Sequence, residues 1–313
     1  MLIKSLFGFV VAIISLASIQ ASAQNTHQYV VGLSSSSIKF EDTDDEFSSG
    51  RTETKENTGY LKAYLSPVVK SSELPYARAG FYNRVANLSL SANQLEWKNL
   101  NTVVRGQILK ATKSKRYSLS SFLAHQALPV WAELGYQYLD EARFYYASGV
   151  NEKRKSYRTK EVQLGLFLTD RVSIFGRYEK TEDKTYGFGF TALFELAEFG
   201  FLEPEMSVSK TDRDSLALIA HDDHLLNRDV RLMIDEKEAE FKLTYYPIPQ
   251  SSISLIYQQT GFEVNNAKDH YYSMALSHYF IPQFKLGLHY THKDAASFYN
   301  DYKQLIVDIS TEF

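Results

Sequence analysis

The sequence predicts an all-β chain: a transmembrane antiparallel up-and-down β-barrel of about sixteen strands, within a range of about fourteen to eighteen. Three observations point there. Apolar and polar residues alternate with period two through most of the chain, the pattern of strands with one apolar and one polar face. Tyr occurs 22 times and Phe 20 times, yet mean hydropathy is only −0.30. That pairing suits a cylinder that is apolar outside, polar inside and ringed by aromatic side chains at two interfaces. Connections alternate between short turns, such as Thr169 to Arg171, Pro247 to Gln250 and Ile281 to Gln283, and longer polar ones. Periplasmic turns and outer loops alternate in this way.

The amino-terminus reads as a targeting segment. Lys4 precedes a mostly apolar run from Ser5 to Ile19, and Ala21-Ser22-Ala23 has the small-x-small form of a cleavage site. Residues 1–23 are expected to be a signal peptide cut after Ala23, leaving residues 24–313 as the barrel. Tyr29, Val31 and Leu33 begin the first strand, and residues 41–57 are a charged loop. Leu61, Ala63 and Leu65 oppose Tyr60, Lys62 and Tyr64 in a clean strand. Two prolines mark Ser66 to Pro75 as a turn region. Ala77, Ala79 and Phe81 then alternate with Arg78, Gly80 and Tyr82, and read as another strand.

Further strands are predicted around Leu88 and Leu90, around Val104 and Ile108, and around Tyr117 to Leu123. From Ala132 onward the signal sharpens. Strands follow near 132–138, 162–168, 172–179, 186–195, 199–208, 239–245, 252–258, 271–280 and 284–291, and the last covers Leu305 to Phe313.

The polar faces carry the candidate functional groups. With these phases, Lys62, Arg78, Arg105, Arg177, Lys242 and Lys285 face the lumen as cations. Glu133, Glu161, Glu179, Glu195, Glu238, Glu240 and Asp308 face it as anions. Small barrels fill their interior with such pairs, whereas larger ones leave water between them. The functional expectation is a charge-lined diffusion pore that biases ion passage. The bland reading is a wall of charges that pair across strands.

In the last strand Leu305, Val307, Ile309 and Phe313 share one face, and the Phe stands at the end. This stretch resembles the closing strand of bacterial outer-membrane β-barrels, which the barrel-assembly machinery recognises. The polar lining, turn spacing and leader together resemble the general porins of Gram-negative bacteria. That resemblance implies outer-membrane localisation, contact with lipid and lipopolysaccharide, passage of small hydrophilic solutes and a homotrimer. It implies no cofactor and no enzymatic step. The sequence departs from the family near Thr112 to Lys115, where a long pore-constricting loop belongs, and its longest connection is Lys210 to Asp235. Either that loop narrows the pore, or the pore is wide, or the strand count differs.

Other classes are weighed on the same residues. His221-Asp222-Asp223-His224 could bind a divalent metal or activate water at a barrel rim. Four adjacent loop residues rarely converge on one ion, so no metal or catalytic residue is assigned. A barrel enzyme and a non-conducting surface or adhesion barrel stand as alternatives to the pore. The chain has no Cys and a net charge of −3, with no basic patch, so a nucleic-acid partner is not expected.

Overall fold

The structure, a computed structural model, describes residues 26–40, 53–104, 107–146, 150–212, 236–262, 268–295 and 302–313. The leader, the acidic stretch 41–46, Arg105 and His221 to His224 lie outside the described residues.

Fifteen strands form one antiparallel sheet. They are β1 (Thr26–Phe40), β2 (Glu53–Val69), β3 (Asn87–Val104), β4 (Gln107–Ala124), β5 (Val130–Tyr146), β6 (Val150–Thr169), β7 (Val172–Lys180) and β8 (Lys184–Ala192). There follow β9 (Phe194–Glu195), β10 (Phe201–Asp212), β11 (Glu236–Ile248), β12 (Ser251–Phe262), β13 (Lys268–Ile281), β14 (Phe284–Ala295) and β15 (Tyr302–Glu312). β9 is a two-residue continuation of β8, so the wall has fourteen strands. β1 pairs with β15 from Val30–Glu312 to Phe40–Tyr302, and β10 pairs with β11. The sheet therefore closes on itself and leaves no open edge, as hydrocarbon requires of a sheet.

The count of fourteen lies within the expected range, and two segments account for the difference from sixteen. Ala77 to Tyr82 is not a strand: Tyr76–Arg78 is a 3-10 turn and Ala79–Tyr82 a single helical turn. Pro75 sets φ at −59° just before it, and Ala, Arg and Ala are good helix formers with no β-branched residue among them. Val104 and Ile108 are not a strand of their own but the facing ends of β3 and β4. Thr112 to Lys115 is likewise not a loop, because β4 runs through it. On the outward phase of these two strands Glu96 and Lys113 form an ion pair at 3.0 Å. Above the hydrocarbon an outer face has no reason to be apolar, so the alternation that marks a strand disappears there.

Outward faces are apolar and exposed from strand to strand: Leu164 at 62%, Phe188 at 69% and Leu255 at 56%. These exposures belong to large apolar groups in mid-strand, which water would not tolerate as a continuous belt. Leu305, Val307 and Ile309 lie on this belt, and the Phe313 ring packs 5.9 Å from that of Tyr29. The chain is an outer-membrane barrel with its oil-facing surface outside.

Candidate functional site

The interior is built from the other phase of each strand. Register pairing brings β6 and β7 together so that Arg177 meets Glu161 at 3.0 Å and Glu179 at 2.6 Å. On β14 and β15 Lys285 faces Asp308 at 4.0 Å. Lys242 of β11 bonds Glu205 of β10 at 2.8 Å. Glu238 accepts a hydrogen bond from Gln258 at 3.1 Å, and Glu240 stands between it and Lys242 on the same face. Lys62 sits over the Tyr64 ring, and Glu133 lies on β5 beside the Glu161 strand. Two placements need correction. Glu195 is at the rim, paired with Arg171 at 2.9 Å, in the two-residue β9 that follows the break after Ala192. Arg78 is not on a wall strand.

Arg78 belongs to a segment, residues 70–86, that joins β2 to β3 at the end bearing the short turns. This end is periplasmic in such barrels. Sequence reasoning divided the segment between a turn and a strand and missed its role. Its signals were its length, Pro75 before Ala-Arg-Ala, and apolar groups at a spacing of three: Tyr76, Ala79 and Tyr82.

The segment crosses the mouth and touches every other turn at that end. Arg84 donates to Gln126 O at 2.9 Å in the β4–β5 turn and pairs with Asp170 at 2.8 Å in the β6–β7 turn. Tyr82 packs with Leu193, Phe201 and Tyr246, where β8 leads into β10. The Tyr76 amide donates to Pro249 O at 2.9 Å in the β11–β12 turn. Lys70 donates to Pro282 O in the β13–β14 turn and pairs with Glu312 of β15, which also lies 3.4 Å from His27 of β1. The result is a plug anchored around the whole circumference.

Two kinds of contact hold it. The first is apolar. The Phe81 ring lies 5.6 Å from Phe122, 5.7 Å from Trp131 and 5.3 Å from Phe167, filling the lumen on the β4–β6 side. Trp131 reaches this place by lying over Gly165, where an added Cβ would come within 2.1 Å of the indole. Gly165→Val is therefore expected to displace the ring and destabilise the protein by about 1–3 kcal/mol. The check is a lower urea midpoint with a shifted Trp emission.

The second is polar and centres on Glu203, whose side chain is wholly buried. Its carboxylate accepts from Arg78 Nε, the Tyr82 hydroxyl and the Tyr246 hydroxyl, each at 2.7 Å. Arg78 Nη2 reaches Glu205 at 3.2 Å. Burial works against the Arg78 charge, but Glu203 and Glu205 outweigh it and raise the guanidinium above its ordinary range. Burial pushes the Tyr82 hydroxyl up, and Glu203 adds to the shift, so it stays a donor. At the other anchor burial lowers Lys70 and Glu312 offsets part of the effect. Arg84 takes φ of 55°, a left-handed backbone that costs about 1–2 kcal/mol in a non-glycine residue. Its two hydrogen bonds and its place 4.6 Å over the Phe167 ring hold it there.

Among the described residues no group of three or more His, Asp or Glu side chains is arranged to hold a metal ion.

No protein family matches the chain by sequence, and no curated protein does. Solved structures do match its fold. The Acinetobacter baumannii outer membrane protein Omp33 superposes with a TM-score of 0.57 at 12% identity, over 93% of this chain and 100% of that one. A mutant of the monoaromatic hydrocarbon channel TodX gives 0.55 at 9%, over 93% and 91%. A Pseudomonas aeruginosa FadL homologue gives 0.53 at 9%, over 92% and 90%. At such identities the likeness is one of architecture, and it shows that this chain has the fold of the outer-membrane β-barrels.

Proposed function

We propose that the protein is an outer-membrane channel for small hydrophilic solutes and ions, narrowed at its periplasmic end by residues 70–86. One observation carries this. The wall pairs Arg177–Glu161, Arg177–Glu179, Lys242–Glu205 and Lys285–Asp308 keep side-chain exposures of 24–38% inside a barrel whose outside is apolar. Ionic groups keep such access only where water stands against them, so the lumen is wet. Some structures of similar fold are monoaromatic hydrocarbon channels. A wall of carboxylates, ammonium groups and serines favours a hydrophilic cargo here. Movement is by diffusion, and the proposal includes no catalytic step.

The experiment is conductance of the purified protein in planar bilayers. Discrete ion steps are expected, and a sealed bilayer would exclude the channel in favour of a surface platform. The charge reversal Glu238→Lys with Glu240→Lys is expected to shift the reversal potential in a salt gradient toward anions by several-fold in permeability ratio, with the fold intact. An unshifted potential would mean that ions do not pass beside β11.

A further inference from the structure

We propose that the lumen carries a binding site for a small hydroxylated carboxylate, between Arg78 of the plug and the wall of β11 to β15. It deepens the channel reading, on which its physiological meaning rests. A cavity of about 290 Å³ lies there, the share of about ten waters in the liquid.

Three cations reach its surface, Arg78, Lys242 and Lys285, against the one carboxylate of Asp308. Glu203 and Glu205, which balance Arg78 and Lys242, stand behind these cations and do not line the cavity. The cations also have donors to spare. Arg78 uses Nε and Nη2 on Glu203, Glu205 and Thr191. Lys242 gives one of its three protons to Glu205. Lys285 meets Asp308 only at 4.0 Å, beyond hydrogen-bond reach.

What the three cations lack on this surface is an anionic acceptor within hydrogen-bond reach. A carboxylate brings two oxygens with about four lone-pair sites and forms charge-assisted bonds to ammonium and guanidinium groups. Hydroxyl pairs line another part of the cavity: Thr244–Ser254 at 2.9 Å and Ser252–Ser277 at 2.8 Å. Each pair uses one proton internally and leaves the other proton and several lone pairs to a guest. A hydroxylated chain supplies both roles. An acid of about six carbons matches the available space.

The test is calorimetric titration of the whole purified protein in detergent with D-gluconate, D-glucose and D-glucosamine. Saturable gluconate binding is expected, weaker by about tenfold or more for glucose and absent for glucosamine. Lys285→Met, which keeps the stem and removes the charge, is expected to lower gluconate affinity by about tenfold. Heat-modifiable migration on gels establishes that the variant is folded. Equal affinity for gluconate and glucose, no gluconate binding, or unchanged binding in Lys285→Met would each overturn the proposal. Bilayer recordings separate the two claims. Gluconate binding without ion steps removes the channel and keeps the site; ion steps without gluconate binding do the reverse.

Discussion

Glu203→Leu is expected to raise single-channel conductance several-fold while the barrel stays folded. The carboxylate is fully buried and holds Arg78, Tyr82 and Tyr246 at once. Removing one partner of a buried ion pair costs about 3–5 kcal/mol, because the charge left behind has lost its compensation. Two buried hydroxyls lose their acceptor as well, at about 1–3 kcal/mol each. Segment 70–86 can escape this cost by leaving its seat, since water then solvates Arg78. The wall cannot respond in the same way, because its strands are held by continuous ladders from β1 round to β15. A cysteine at Ala77, exposed in the seated plug, serves as a control for folding, and one at the buried Ala79 reports release. Labelling at 79 should rise in the Glu203→Leu background. If conductance and labelling both stay at wild-type levels, Glu203 does not hold the plug.

The second large effect is on the oil-facing side. Leu255 lies in mid-strand on β12, opposite Leu243 on β11 and Met274 on β13, and is 56% exposed. In a soluble sandwich, arginine at an exposed position would be nearly neutral. In a bilayer, Leu255→Arg is expected to cost about 2–4 kcal/mol near the midplane. The measurement is the urea midpoint of the protein refolded into lipid vesicles. A change in unfolding free energy below about 0.5 kcal/mol would place this face in water.

What was legible in the sequence follows from how the two solvents imprint the chain. Between 132 and 208 and from 239 onward, oil outside and water inside impose opposite demands on successive residues. There the strands stand near their predicted places. In β3 and β4 charged residues such as Glu96 and Lys113 take outward positions, the alternation is lost, and one pair of strands reads as three. Phase alone places Glu161, Arg177, Glu179, Lys242, Lys285 and Asp308 on the polar faces of their strands, and the register brings Arg177 to Glu161 and Glu179 and Lys285 to Asp308. Their partners were harder to find. Glu205 pairs with Lys242 through the β10–β11 register, across the longest connection, and with Arg78 of a segment far away in the chain. The plug was missed for a different reason. Alternating Ala, Arg, Ala, Gly, Phe and Tyr satisfies a strand template as readily as a helical turn, and only contacts with five distant turns decide between them.

The Lys70 anchor bears on how the molecule comes into being. Lys70 follows directly on the second strand, but its socket is shared by Glu312 on the last and His27 on the first. That socket does not exist until the two ends of the sheet meet. Seating of the Lys70 end of the segment therefore waits on closure of the cylinder, whichever of its other anchors forms first.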